Sequence, residues 1–273
     1  MFLTGIKTEP IPERILSICQ AVEDRGPISR KDLEKLLVPE KLNTAKTSYF
    51  GPVFDAATEL KLIGTNEHDQ IIFIGDHNDI TDLQTFRRFC NSIVFFDRTS
   101  EFYKIISCFL SANDEWLEYG RMTTSQDIVR IVNQETGIPS LTLQKDVLLG
   151  IRFWISFLGF GFYQESKKEG IFLPNMYTAL KDFMMLGSIQ EKEYAVNDFL
   201  NSLYPGASVA LAGAKESMSL NLAMSNALRL MHDNQEIQFE RHLDSARVWH
   251  LFPNPEHEFT DEITHILIRK AVE

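Results

Sequence analysis

The chain is poor in cysteine. Only Cys19, Cys90 and Cys108 occur in 273 residues, and no two form a CxxC pair. That excludes a disulfide-stapled scaffold and a thiolate zinc finger, which need closely spaced cysteine sets. Long apolar runs are also missing. The longest nearly apolar stretch, 151–163, carries Arg152 and falls short of the roughly 20 residues that cross a bilayer. The opening MFLTGIKTEPIPER has neither the basic run nor the apolar core of a secretory signal. A cytoplasmic protein without a membrane partner is therefore expected. Positive charge is in deficit, with 27 Lys/Arg against 38 Asp/Glu and a net charge of −11. That excludes a protein whose whole surface coats nucleic acid.

Catalytic signatures are absent as well. There is no GxSxG and no HExxH. The stretch from Gly206 to Ser217 suggests a phosphate loop, but six residues separate its glycines and Ala214 separates Gly213 from Lys215. That spacing does not let consecutive amides wrap a phosphate with the lysine in reach. Glu191-Lys192-Glu193 is the nearest string to a nuclease site, and it reads as the first turn of a helix. Five of the seven histidines lie late, at 232, 242, 250, 257 and 265, with no pair at i,i+4. They read as surface histidines, so no metal, no cofactor and no catalytic residue is assigned.

What is present is an ordinary globular composition, 44% apolar and 24% charged, with 20 Phe, 7 Tyr and 3 Trp. Most aromatics fall at helical spacing and read as core. The charge is uneven. Residues 1–78 hold 9 Lys/Arg and 12 Asp/Glu, residues 79–188 hold 11 and 13, and residues 189–273 hold 7 and 13. More than half of the excess negative charge, −6 of −11, lies in the last third, so the first two segments can each carry a local basic face.

The apolar pattern predicts a helix over 12–23, stopped by Arg25-Gly26-Pro27, then an extended piece at 27–29. Ser29 caps a second helix over 30–37, and a third runs from Asn43 or Thr44 to Leu60, with Gly51-Pro52 marking a late start or kink. Two short apolar strands at 61–64 and 71–74 flank a polar turn. This order over 10–75 resembles the winged helix-turn-helix superfamily; a helical bundle with an incidental hairpin is the other reading. Helices follow over 82–96 and 100–111. The pattern then returns: a helix over 126–133, an apolar helix over 141–158, and a hairpin of 159–163 and 171–173. A helix over 174–186, another over 191–203, and one over 220–231 capped by Ser217 or Ser219 come next. A third hairpin is expected between 236–241 and 247–252, and a closing helix over 260–272. The expected fold is α+β, mainly α, with two to three winged-helix-like modules joined by helical segments. Its divisions are 1–78, an N-terminal winged helix; 79–188, a helical linker plus a second module; and 189–273, an acidic helix-hairpin module.

The candidate recognition helix begins with Lys41, Asn43, Thr44, Lys46, Thr47, Ser48 and Tyr49. Short polar side chains with two lysines at a helix start suit base edges and phosphates together. Arg30 and Lys31, with Lys35, add phosphate contacts from the preceding helix. Lys167 and Lys168 sit at the tip of the second hairpin, where a wing rests against a phosphate. In its N-terminal segment, its size and the stretch Ile93-Val94-Phe95-Phe96-Asp97, the chain resembles the DpdG-like accessory proteins of bacterial clusters for 7-deazaguanine DNA modification and phage defence. The resemblance implies a non-enzymatic role beside a larger DNA-processing machine. Two readings follow for the partners. One is a DNA-associated adaptor that touches double-stranded DNA through the first module and a larger protein through the acidic third. The other is a protein-only scaffold. A homodimer through the apolar 147–162 or 263–268 stretch is compatible with both, and an enzyme with an unrecognised site is the third possibility.

Overall fold

Pro12 opens α1 (Pro12–Arg25), where a missing N–H costs nothing in the first turn. Ile15, Leu16, Ile18, Cys19 and Val22 form its buried stripe. The helix stops at Gly26, whose φ of 69° suits a residue without Cβ and whose N–H bonds Val22 O at 3.0 Å. Ser29 caps α2 (Arg30–Leu37), its Oγ accepting from Asp32 N at 3.1 Å. Between the helices, Ile28 exchanges two backbone hydrogen bonds with Ile71, at 3.1 and 2.8 Å. α3 (Phe50–Glu59) carries Gly51-Pro52 in its first turn and buries Phe50, Val53, Ala56 and Ala57. It leads into the antiparallel strands β1 (Ile63–Thr65) and β2 (Ile71–Phe73), with Ile63 opposite Phe73. The computed structural model describes residues 2, 6–38, 49–113, 125–137, 145–165, 170–245, 247–257 and 261–270.

α4 (Leu83–Ile93) starts with a reciprocal capping box between Asp82 and Thr85, and α5 (Glu101–Ser111) starts on Ser100. α6 (Ser125–Thr136) and α7 (Lys145–Leu158) precede the second hairpin, β3 (Gly161–Glu165) and β4 (Gly170–Pro174), with Phe162 opposite Leu173. The join from α7 to β3 demands glycine. Gly159 has φ of 82°, and a Cβ there would stand 2.8 Å from Ala179 N. α8 (Tyr177–Leu186) packs on α4 and completes the first two thirds.

The last third departs from the sequence reading in four places. The expected helix over 191–203 is instead β5 (Glu193–Ala195) followed by α9 (Val196–Ser202). A 3-10 helix (Pro205–Ala210) and α10 (Ala214–Ser217) follow. α11 (Leu222–Asp233) is capped by Asn221, whose side chain accepts from Met224 N, rather than by Ser217 or Ser219. The expected third hairpin does not form. β6 (Ile237–Glu240) pairs with the chain end, whereas β7 (Trp249–His250) pairs with β8 (Glu262–Ile263). The expected closing helix is replaced by β8 and β9 (His265–Ile268). Thr264, Ile266 and Ile268 are buried while His265 and Leu267 alternate with them toward solvent. That is a period of two, in a β-branched run that favours extended backbone. β9 enters between β5 and β6 to make a three-stranded antiparallel sheet of order β5-β9-β6.

Among the described residues the fold is α+β and mainly helical, with small antiparallel sheets. One apolar core runs through it from Phe2 to Ile268. Phe2 packs edge-on against Trp154 at 4.7 Å and Phe102 at 5.1 Å, and Trp154 Nε1 donates to Pro10 O at 2.8 Å. Phe95 meets Phe160 edge-on at 5.3 Å. Gln20 Nε2 donates to Ile80 O at 2.8 Å, tying α1 to the segment that enters α4.

Candidate nucleic-acid interface

Among the described residues of the first 78, Arg30, Lys31 and Lys35 gather on α2. Arg30, Lys31 and Lys35 are exposed there, while Leu33 turns inward. The Arg30 guanidinium sits over the Phe54 ring at 4.4 Å and Phe50 at 5.9 Å, so α3 holds it in place by cation–π contact. Among the described residues no ion pair ties up Lys31 or Lys35. Arg14 lies over the Tyr49 ring at 4.5 Å and donates to Glu9 O at 2.9 Å. The Tyr49 hydroxyl donates to Leu37 O at 2.7 Å, joining the end of α2 to the start of α3. Tyr49 thus already serves the packing, and a base contact through its hydroxyl costs that bond.

Of the sequence-assigned residues, Arg30, Lys31 and Tyr49 lie on this corner. Lys41, Asn43, Thr44, Lys46, Thr47, Ser48, Lys167 and Lys168 lie outside the described residues. The β1–β2 turn is acidic and exposed, with Glu67, His68 and Asp69 at its tip. Asn66 Oδ1 accepts from His68 N at 2.9 Å and Gln70 N at 3.0 Å and fixes the turn. The acidic side chains of this turn repel phosphate.

A second charged centre holds the body together. The Asp182 carboxylate, 3% exposed, takes a bidentate pair from Arg87, Nε at 2.8 Å and Nη2 at 3.0 Å. Asn91 Nδ2 donates to Asp182 Oδ2 at 2.8 Å and to Leu158 O at 3.2 Å. α4, α8 and the end of α7 meet there. Cys19 and Cys90 are buried and offer no ready nucleophile. Burial pushes the Cys19 thiol up to about 12, and the Cys90 thiol well above its ordinary value.

The sequence reading left the late histidines apart. The structure brings His242, between β6 and β7, against His265 of β9, with ring centroids 4.1 Å apart. Glu193 of β5 stands 3.4 Å from His242 Nε2. No spacing rule shows this, because the three residues meet only through the β5-β9-β6 pairing.

No described helix is long and apolar enough to cross a membrane. Neither a curated protein nor a solved structure matches the chain. The DpdG-like family model matches residues 4–245. With most of its length under that one model, and with its mainly helical α+β fold, the chain belongs to the DpdG-like family.

Proposed function

We propose that the protein is a non-enzymatic, DNA-associated adaptor of a bacterial DNA-modification or antiviral defence complex, acting in the cytoplasm. Family membership supports the DNA-modification setting. The finer reading is a winged helix at 1–78, a second winged-helix-like module within 79–188, and an acidic partner-binding module at 189–273. One observation carries it. The order α1, bridging Ile28, α2, α3, β1, β2, with Ile28 paired to Ile71, is what a winged helix requires. Arg30, Lys31 and Lys35 lie on its helix-turn-helix side. In this reading Lys41, Asn43, Thr44, Lys46, Thr47, Ser48 and Tyr49 face the groove, and Lys167 and Lys168 meet the backbone. The last third, with 13 acidic and 7 basic residues, recruits a basic surface of a larger protein.

The test is anisotropy of a labelled duplex titrated with protein at several salt concentrations. Each neutralised phosphate contributes about −0.9 to the slope of log K against log salt. Charge reversal at Lys31 and Lys35 should flatten that slope by about two phosphates. Reversal at Lys41 and Lys46 should flatten it by about two more. An unchanged slope in both variants refutes the interface.

The acidic tip at Glu67 and Asp69 favours the protein-only scaffold as second reading, since a wing of that sign suits a basic protein better than DNA. No duplex binding by the wild type even at low salt decides for it.

A further inference from the structure

The open face of the C-terminal sheet carries a cluster that the adaptor reading does not use. In the β5-β9-β6 register Ala195 lies opposite His265, Glu193 opposite Leu267, and Glu240 opposite His265. Cross-strand partners point to the same side, so Glu193, His265 and Glu240 share one face. The other face is apolar, with Tyr194, Ile237, Phe239, Ile266 and Ile268 buried. His242, two residues beyond Glu240, folds back over this face and stacks on His265. One donor atom each from Glu193, His242 and His265 lies within 4.8 Å of the other two.

We propose that Glu193, His242 and His265 form a binding site for a divalent transition-metal ion of the zinc class. Two imidazoles and a carboxylate are the ligand types that such ions take, and no thiolate is needed. The His242 Nε2 to Glu193 Oε1 distance of 3.4 Å matches the ~3.3 Å edge expected for tetrahedral bonds of 2.0–2.1 Å. Among the described residues no lysine or arginine pairs with Glu193 or Glu240; the recorded partner of both is His242, with Glu240 Oε2 at 2.9 Å.

The surroundings orient the ligands. Thr264, 2% exposed, donates its hydroxyl to Glu240 O at 3.2 Å and accepts from His242 N at 2.8 Å. His265 Nδ1 lies 2.9 Å from the same oxygen. With the hydroxyl proton committed to Glu240 O, the ring nitrogen is the donor in that contact. In that tautomer His265 carries its proton on Nδ1 and leaves the Nε2 lone pair for the ion. This is the outer-shell arrangement that fixes a metal-binding imidazole. A buried threonine that spends its hydroxyl on both histidine segments marks a built site, not a chance surface grouping. The ion clips β5, β9 and the segment after β6 together, with Glu240 Oε2, 2.9 Å from His242 Nε2, beside the fourth position.

The experiment titrates the metal-stripped full chain with Zn²⁺ by calorimetry and repeats it with Co²⁺ while recording the visible spectrum. The expected result is one ion per chain, with a tetrahedral Co²⁺ absorption and a higher unfolding temperature in its presence. Glu193→Gln and His265→Gln each keep a side chain of similar reach and should weaken binding by at least about tenfold and bleach the Co²⁺ bands. Thr264→Val should weaken it about 10- to 100-fold. Circular dichroism without metal confirms that each variant is folded. Should a variant not fold, His242→Gln, outside the strands, takes its place with the same expected loss. Binding that persists unchanged in folded Glu193→Gln and His265→Gln, or a wild type that takes up no ion, overturns the proposal.

Discussion

Asp182 gives the sharpest test of how this fold is held together. Replacing it with alanine removes three charge-assisted hydrogen bonds, two from Arg87 and one from Asn91. Each is worth about 1.5–3 kcal/mol in isolation, but the terms do not add. Arg87 keeps 19% of its side chain in water and can rehydrate, and Asn91 keeps its bond to Leu158 O. Breaking a buried pair from one side costs about 3–5 kcal/mol. The partial exposure of Arg87 puts Asp182→Ala at the lower end, about 3 kcal/mol. Asp182→Asn keeps the shape and one acceptor oxygen and should cost about 1–2 kcal/mol. The assay is equilibrium urea unfolding followed by tryptophan fluorescence and far-ultraviolet circular dichroism. A second replacement, Arg87→Leu in the Asp182→Leu background, should recover part of the stability because the main stranded cation is gone, while Arg88, 3.9 Å from the carboxylate, stays. A loss below about 1 kcal/mol for Asp182→Ala, or no recovery in the double variant, would refute the view that this charge pair joins α4, α7 and α8.

Three further outcomes are expected. Trp154→Phe removes the Nε1 bond to Pro10 O and leaves a small void beside Phe2; a loss of about 2–3 kcal/mol in urea unfolding is expected, and a neutral result would contradict the burial of that bond. The backbone N–H of Thr85, with that of Gln84, holds the Asp82 carboxyl below its usual value, burial opposing. Its contribution to stability is therefore present above the unfolded value near 4 and lost as pH falls through the folded one. Asp82→Asn keeps the cap but not the charge, so its urea midpoint should trail the wild type at pH 7 and meet it once pH has fallen below the folded value; a constant gap would show that the charge is idle. A thiol reagent should label Cys108 in the native protein and reach Cys19 and Cys90 only in denaturant, which mass spectrometry of the labelled peptides reads directly.

The helices of the first 186 residues could be read from the chain because their information is local. Ile15, Leu16, Ile18, Cys19 and Val22 announce α1 by spacing alone, and Ser29 announces the start of α2 by its chemistry. The two hairpins with a polar turn between apolar strands were equally visible. The α2 basic face was half legible: Arg30 and Lys31 show as charges, but not that Phe54 holds the Arg30 guanidinium.

The last third needed the tertiary structure. Ile263, Ile266 and Leu267 fit a helix face as well as a strand, and a short β-branched run cannot choose between the two periods by itself. The choice belongs to β5 and β6, which offer unpaired edges to the chain end and so draw 265–268 into extended form. Such pairing is set by groups far apart in sequence, which no local pattern encodes. The same holds for Arg87 with Asp182 and for Glu193 with His242 and His265. Sequence by itself determined the helices of the first two thirds and where the charge lies. Only the tertiary structure decided which charges meet, because that depends on how distant strands and helices register against one another.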